Sequence, residues 1–363
     1  MNRPAGNPSA PSETTVKDSL AMVPGVEHAQ LMAWLGRLDS DVAPPVTARR
    51  LGVGQSNLTY LLSDAAGHRW VLRRPPMGNR LNSAHDVLRE ARILSALART
   101  GVPVPRIHGV AQAGEVGDEP LVLMEFVDGL VISDVAASHT LPVRARHSAG
   151  IALPETLGRL HAVDLGAVNL VDLASHSPYA QRQLKRWSGQ WERSKTRELA
   201  DLDSLTDRLR AAVPAPRELT LVHGDLHLRN IVVSAFDGEI LAALDWELAT
   251  LGDPIADLGT TLAYWPENDE TVLPEFRALL LPGYPRRADL VERYCLITGH
   301  DVTDTELAFW HALALWKVAI IAEGILRRAQ EDPRNRAESG VPVHQTVNDL
   351  VALAHDIATR AGI

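Results

Sequence analysis

The sequence contains very little cysteine and no excess of positive charge. Cys295 is the only cysteine in 363 residues, so neither an internal disulfide nor a zinc site made of cysteines can form. The chain has 36 Lys and Arg against 45 Asp and Glu, which gives a formal net charge of -9. This charge provides little long-range attraction to phosphate backbones or anionic lipids, so we expect neither a nucleic acid nor a membrane surface as a partner.

Long apolar runs are also missing. No stretch of the sequence reaches the roughly 18 to 20 consecutive apolar residues of a membrane span. The opening residues, MNRPAGNPSAPSETT, lack the apolar centre of a signal peptide, and together with the single cysteine this favours a cytoplasmic protein. Residues 1–20 are rich in Pro, Ser, Asn and Thr, and we predict a disordered tail there because they bury too little apolar surface.

The part of the chain that follows the tail is predicted to form an antiparallel sheet. Short β-rich runs are linked by turns that contain Gly, a pattern typical of hairpins. Two helical patterns accompany them, over 26–38 and, inserted between the third and fourth strands, over 84–99. The five predicted strands cover 46–53, 58–63, 69–73, 106–111 and 121–126.

From residue 128 onward the pattern is mainly helical. Helices are predicted over 151–163, 179–199, 289–297, 305–328 and 346–360. A β island interrupts them, with strands over 219–222, 231–234 and 240–244. The predicted fold class is therefore α+β with two lobes, and small-molecule sites concentrate in the cleft of such an arrangement.

The most informative stretch is HGDLHLRN over residues 223–230, followed after a predicted strand by Asp245. Phosphoryl transfer from a nucleotide requires a carboxylate that orients the attacking hydroxyl, and oxygen ligands for Mg²⁺. Asp225 and Asn230 stand five positions apart, as the base and the metal-binding amide do in a kinase catalytic loop. We therefore predict that Asp225, Asn230 and Asp245 converge on one site.

Two other interpretations of this stretch exist. Isolated Asp and Asn residues often stabilise ordinary turns. His223, Asp225 and His227 could instead ligate a transition metal in a hydrolase. No further histidine cluster accompanies them in the sequence, which disfavours the metal hydrolase.

The motifs resemble those of a known family. Residues 223–230, Asp245 with Trp246 and Glu247, and 252–258 (GDPIADL) resemble the aminoglycoside phosphotransferase and choline kinase-like branch of the protein-kinase-like fold. More narrowly, GQSNLTY from residue 54 and VLRRPP from residue 71 resemble the phosphotransferase domain fused to some acyl-CoA dehydrogenases. The similarity covers about residues 45–330.

The resemblance implies a bilobal, kinase-like fold. It implies a nucleotide-binding lobe over 21–126, with a five-stranded sheet and one helix, and a larger helical lobe over 127–363 that carries catalysis and the acceptor. The implied activity is transfer of a phosphoryl group from ATP or GTP to a small hydroxylated metabolite. Asp225 would be the catalytic base, and Asn230 and Asp245 would hold Mg²⁺.

The resemblance also implies a loop over the nucleotide phosphates. Its residues would be Gly54, Gln55, Ser56 and Asn57. Glycine there allows close approach of an anion to backbone N–H groups. A plain hairpin turn explains the two glycines of this segment equally well.

Arg73 departs from the family pattern. In kinases the third strand offers a lysine to the nucleotide phosphates, and a helix glutamate pairs with it. Arg73 occupies that position here, and Glu90 is its implied partner. Arginine keeps the charge but presents a planar fork instead of a compact ammonium. This difference keeps open an alternative, a kinase-like module that binds nucleotide without catalysing transfer.

Further roles follow from the resemblance. The segment LVLMEFV over 121–127 is similar to the strand and connector that meet adenine in kinases, which implies backbone contacts from the Glu125 carbonyl and the Val127 N–H. An apolar core strand would have the same sequence. Asp257 follows a predicted helix start and is expected to hold the catalytic loop by accepting backbone hydrogen bonds.

The acceptor is expected in the helical lobe. Several large aromatic residues there either pack in the core, which we favour, or line an acceptor pocket: Trp187, Trp191, Tyr264, Trp265, Trp310 and Trp316. His161 is expected to be a packed residue at a helix end. The lobe shows no carboxylate cluster suited to a polycationic aminoglycoside. A protein kinase is disfavoured because only eight positions separate Asp245 from Asp253, too few for a peptide-docking segment.

Overall fold

We analysed a computed structural model of the chain. It describes residues 23–51, 57–76, 86–174, 177–267, 270, 273–331 and 341–363. The predicted tail over 1–20 lies outside the described residues, as do Gly54, Gln55 and Ser56.

An antiparallel five-stranded sheet forms the first part of the structure, as predicted. The strand order is β1-β2-β3-β5-β4, and every neighbouring pair is antiparallel. Two helices accompany the sheet, α1 (His28–Leu38) before it and α2 (Val87–Leu97) between its third and fourth strands. The strands are β1 (Thr47–Leu51), β2 (Leu58–Ser63), β3 (Arg69–Arg74), β4 (Ile107–Ala111) and β5 (Leu121–Glu125).

Alternate side chains of β2 and β3 are buried on one face of the sheet, and β5 is buried on both faces. On one face Leu62 and Leu72 are fully buried and pack in a cluster with Trp34 of α1. On the other face Val122 and Met124 of β5 pack with α2 in the large core that continues into the helical part. The sheet is therefore fixed against the rest of the molecule through α2.

The remainder of the described chain is mainly helical. Its helices are α3 (Val135–His139), α4 (Val143–His161), α5 (Tyr179–Ser194), α6 (Ala200–Ala211), α7 (Pro254–Ala263), α8 (Arg287–Thr298), α9 (Asp304–Glu331) and α10 (His344–Arg360). The predicted fold class is confirmed. The helix predicted over 151–163 begins eight residues earlier, and Gly150 inside it lies against Pro285, where a larger side chain would clash.

The helix predicted over 179–199 is in fact two helices, α5 and α6. Helix α5 ends before Lys195 because Glu323 of α9 forms hydrogen bonds with the next residue, Thr196. The Glu323 carboxylate accepts the Thr196 backbone N–H at 3.0 Å and the Thr196 hydroxyl at 2.5 Å. A contact from 127 positions away thus ends the helix, and no local pattern announces it.

The β island contains four short strands instead of the three predicted. They are β6 (Thr220–Val222), β7 (Ile231–Val233), β8 (Ile240–Ala243) and β9 (Thr250–Gly252). β7 and β8 form a hairpin, while β6 pairs with β9, the strand that the sequence analysis missed. The polar loop after β6 and the loop after β8 are therefore held side by side by two ladders.

Helix α9 is the central helix of the large core. By length and composition it could span a membrane, since an 18-residue segment of it has a mean hydropathy of 1.5, which the sequence analysis did not anticipate. In this structure 83% of that segment is buried, packed against α5, α6, α7 and α10. Its apolar surface is thus used in packing.

Candidate functional site

The loop 223–230 is held in place by Asp257 of α7. The helix begins as predicted, since Asp253 accepts the Ile255 N–H and Pro254 is the first helical residue. The buried Asp257 carboxylate then accepts the backbone N–H groups of His223 and Gly224, both at 2.6 Å. These contacts agree with the bracing expected of Asp257, and they fix the backbone just before Asp225.

The pKa of Asp257 reflects this environment. Burial would raise it, but the His161 imidazole and the backbone N–H of Gly224 outweigh burial and lower the pKa below its usual value. His161 lies 3.4 Å from Asp257 and 2.7 Å from the Tyr294 hydroxyl. His161 is thus packed at a helix end, as expected, and also contacts the carboxylate that holds the loop.

His223 has a structural position that excludes metal binding. Its Nε2 lies 2.9 Å from the Leu244 carbonyl, which can only accept, so Nε2 carries the proton. Its Nδ1 then accepts the Asp225 backbone N–H at 3.3 Å. Both ring nitrogens are engaged, and burial lowers the pKa of His223, which keeps the ring neutral. The His223–Asp225–His227 metal site of the hydrolase alternative is therefore disfavoured.

Asp225 and Asn230 are brought together across the loop. The Asn230 amide donates to the Asp225 carbonyl at 2.9 Å and to the Asp225 carboxylate at 3.3 Å. Burial would raise the pKa of Asp225, but the nearby His227 and Lys317 side chains lower it well below the usual range. Asp225 is therefore an ionised hydrogen-bond acceptor, and its side chain remains 23% exposed.

Asp245 lies on the neighbouring loop, next to Asn230. The backbone N–H of Leu244 donates to the Asn230 carbonyl at 2.7 Å, which joins the two loops. Asp245 adopts a left-handed conformation with φ 63°, uncommon for a residue with a side chain. Such strain occurs where a side chain must be aimed in one direction.

Arg73 connects the sheet to this site. Its guanidinium contacts Glu90 of α2 at 3.0 Å and Asp245 at 3.2 Å. Burial works against the charge of Arg73, but the two carboxylates outweigh it and raise the Arg73 pKa. The structure therefore places the predicted partners together, although Arg73 stands where kinases have lysine.

The donor atoms are of the kinds that a magnesium ion takes. The Asn230 nitrogen donates to Asp225, which leaves the amide oxygen for a cation, and the Asp245 carboxylate is 38% exposed. Mg²⁺ commonly takes one or two protein ligands and completes its coordination with phosphates and water. Within the described residues no group of three His, Cys, Asp or Glu side chains could hold a metal, so a zinc site is disfavoured.

Besides Arg73 and Glu90, the predicted nucleotide-binding residues that the structure describes are Asn57, Glu125 and Val127. Asn57 is buried just before β2, and neither polar atom of its amide has a hydrogen-bond partner among the described residues. Glu125 ends β5, and Val127 follows in the segment that leaves the sheet. A buried polar group without a partner is costly, so the Asn57 amide is suited to meet a ligand.

The structure adds Lys317, which the sequence analysis missed, and shows the surroundings of Tyr264 and Glu247, which it named. Lys317 of α9 donates to the Gly224 carbonyl at 2.8 Å. Burial and the nearby Asp225 carboxylate raise the pKa of Tyr264 well above its usual value. Burial and Asp245 raise the pKa of Glu247 to about 8. Tyr264 was predicted in the core and is buried there, whereas the partly exposed Trp187 lines a pocket beside Lys317.

Solved structures of other proteins show which fold this chain has. A solved structure of a candidate aminoglycoside phosphotransferase from Ralstonia eutropha has a TM-score of 0.72 and 28% identity, covering 93% of this chain and 98% of that one. A choline kinase from Cryptosporidium parvum has a TM-score of 0.59 at 12% identity, covering 92% of this chain and 96% of that one. The fold is therefore the protein-kinase-like fold.

The family follows from the sequence. The model of the family described as "Phosphotransferase enzyme family" matches residues 47–290, and the chain belongs to that family. Acyl-CoA dehydrogenase family member 10 of Mus musculus is 33% identical over 333 residues, 90% of this chain and 30% of that protein. Family member 11 of Rattus norvegicus is 31% identical over 92% of this chain and 43% of that protein. The chain thus spans less than half of the length of these relatives.

Proposed function

We propose that this chain is a Mg²⁺-dependent kinase that transfers the γ-phosphoryl group of ATP or GTP to a hydroxyl group of a small molecule. The observation that carries the proposal is the convergence of Asp225, Asn230 and Asp245 with the Arg73–Glu90 ion pair. Phosphoryl transfer depends mainly on alignment and charge stabilisation, and this set of residues supplies both.

The chain's own residues have distinct tasks in the reaction. Asp225 accepts a hydrogen bond from the acceptor hydroxyl and aims its oxygen at the γ-phosphorus. As the new O–P bond forms, the bond to the bridging β,γ oxygen breaks, the diphosphate leaves, and the hydroxyl proton passes to Asp225. The low pKa of Asp225 favours orientation over strong proton abstraction, which suits a loose transition state.

Arg73 is suited to the donor phosphates and is held by Glu90 and Asp245. Asn230 and Asp245 would hold Mg²⁺, which neutralises phosphate charge when bound. A GDP complex and an AMP-PNP complex are known for aminoglycoside phosphotransferases that share the fold with TM-scores of 0.55 and 0.56. They support a nucleotide as the donor without distinguishing ATP from GTP.

A protein substrate is disfavoured. After Asp245 the chain forms a short turn over Trp246–Leu248 and the strand Thr250–Gly252, and Asp253 already caps α7. This leaves no long segment on which a peptide could dock, so a small acceptor in the helical part is the better match.

The replacement of Asp225 by Ala tests the proposal. We expect kcat for ADP formation to fall by about 10³-fold or more, because the group that aligns the hydroxyl is lost. Nucleotide affinity, measured by calorimetry, should remain nearly unchanged. Asp203→Ala, an exposed residue on α6, is the matched control and should behave like the wild type. Equal turnover in the wild type and Asp225→Ala would contradict the assignment. Nucleotide binding without any phosphoryl transfer would instead favour the non-catalytic module.

A further inference from the structure

A second region of interest is a pocket beside the catalytic loop. It has a volume of about 460 Å³ and lies between α2, α5, α9 and residues 247–250. Gly224, which directly precedes Asp225, forms part of its wall. A molecule bound there is therefore one residue along the chain from Asp225, the residue that we assign to the acceptor hydroxyl.

The pocket is strongly cationic. Arg89, Arg182, Arg186 and Lys317 line it, while Glu247 is the only carboxylate among its lining residues. Within the described part of the chain none of the four cations forms an ion pair with a carboxylate, although Asp86 at the start of α2 attracts Arg89, and Asp225 and Asp257 attract Lys317. Even with Glu247 ionised, the lining carries an excess of three positive charges.

Backbone contacts hold these cations without neutralising them. Arg182 donates to the Leu251 carbonyl at 2.8 Å, Arg89 donates to the Ala249 carbonyl, and Lys317 donates to the Gly224 carbonyl at 2.8 Å. Carbonyl oxygens are dipoles and leave the net charge in place. The Nε–H of Arg182 is buried and has no partner among the described residues.

The cations affect one another. Burial lowers the pKa of Arg89, and the nearby Arg186 charge lowers it further. Aromatic rings flank the pocket, with the Arg186 guanidinium 5.6 Å and the Lys317 ammonium 5.4 Å from the centre of the Trp187 ring. A folded protein gathers like charges at a cost, and a bound anion removes that cost.

We infer that this pocket binds an anionic group of the acceptor, a carboxylate or a phosphate ester, while the acceptor hydroxyl lies at Asp225. The inference rests on the proposed function and adds the chemical class of its substrate. Arginine forks form bidentate hydrogen bonds with both kinds of anion. A polycationic acceptor would be repelled by the same residues.

Three acceptors with one carbon skeleton test the inference: glycerol, glycerate and sn-glycerol 3-phosphate. ADP formation should show a kcat/KM at least about 10-fold higher for one or both anionic compounds than for glycerol. Glycerate and glycerol 3-phosphate separate carboxylate from phosphate recognition. Equal kcat/KM for all three compounds would overturn the inference.

Variants that remove one positive charge test whether the pocket causes the preference for an anionic acceptor. Arg186→Gln should lower kcat/KM for the preferred anion by about 10-fold, with unchanged values for glycerol and for the KM of Mg-ATP. Lys185→Gln removes the same charge from the preceding residue of α5, which is also exposed but does not line the pocket, and should change neither value. If Arg186→Gln weakens the binding of Mg-ATP as much as the binding of the anion, the pocket binds the phosphoryl donor and the inference is wrong.

Calorimetry without nucleotide separates this inference from the proposed function. Millimolar glycerate or glycerol 3-phosphate should bind the wild type and Lys185→Gln, and binding should be lost in Arg186→Gln. Anion binding without any turnover would refute the proposed kinase activity but support the proposed anion site. Turnover of glycerol with no anion binding would support the kinase activity and refute the anion site.

Discussion

Arg73 and the pocket arginines lie on two sides of the same loops but in opposite electrostatic settings. Arg73 is matched by two carboxylates, Glu90 and Asp245, within 3.2 Å. Arg182 and Arg186 have no carboxylate partner among the described residues. The two carboxylates balance the charge of Arg73 and hold its guanidinium in place, whereas the pocket arginines lack such counter-charges and gain stability from a bound anion. The difference separates a cation that the protein itself balances from cations whose charge a ligand balances.

Among the substitutions that test the difference between the two regions, Asp245→Ala should have the largest effect. This change removes one of the proposed magnesium ligands and one of the two partners of Arg73. We expect kcat to fall by about 10³-fold, because both charge stabilisation and alignment suffer. ADP formation across a magnesium titration is the measurement. If excess magnesium restored full turnover, Asp245 would have no role beyond weak metal recruitment.

A second test changes Arg73 itself. Arg73→Met leaves Glu90 buried without its partner, and kcat/KM for Mg-ATP should fall by about 10²-fold. Arg73→Lys keeps the charge but loses the fork, so a smaller loss of about 10-fold is expected. Steady-state kinetics with varied Mg-ATP provide both values. A lysine variant as poor as the methionine variant would show that the fork, and not the charge, is required.

Asp257 supports both sides of the comparison, since it holds Gly224 between Asp225 and the pocket. Asp257→Asn should lower the free energy of unfolding by about 2 kcal/mol at pH 7, because the asparagine amide accepts fewer backbone N–H groups. Urea unfolding measures the loss, with Asp203→Asn as the exposed control.

The pH dependence of that loss has a definite sign. The Asp257 pKa is lowered in the folded state. Its contribution is therefore present above the unfolded value of about 4 and disappears as the pH falls through the lower folded value. The stability difference between wild type and Asp257→Asn should shrink below pH ~4. A constant difference down to pH ~2 would mean that Asp257 is not the linked group.

The smallest expected effect is that of salt. Arg186 is exposed and the other three pocket cations are partly exposed, so screening should weaken recognition of an anionic acceptor. Raising the ionic strength from about 0.05 to about 0.5 M should increase the KM of the anionic acceptor ~3-fold more than the KM of glycerol. An equal increase of both KM values would contradict the proposed difference between the pocket cations and Arg73.

The parts of the site that could be predicted from the sequence are those with a local pattern. Asp225 and Asn230 lie on one loop, and Asp253 and Pro254 mark a helix start, so spacing alone places them. The five strands of the sheet are likewise found within about two residues, since alternation of apolar residues is a local signal.

What the sequence did not reveal depends on distant partners. Lys317 reaches Gly224 from 93 positions away, and Glu323 ends α5 through a contact with Thr196 from 127 positions away. Strand β9 has only three residues and acquires its structure by pairing with β6. Tertiary contacts of this kind leave no periodic trace in the segment that they shape.

The central position of α9 determines how much of the chain is needed to form the site. The family match ends at residue 290, yet α9 begins at Asp304 and packs along α7, the helix that carries Asp257. A fragment cut at the end of the match would uncover the apolar side of α7 and lose the ammonium group that reaches Gly224. The smallest piece of this chain that can assemble the loop therefore extends well past residue 290, where the family match ends.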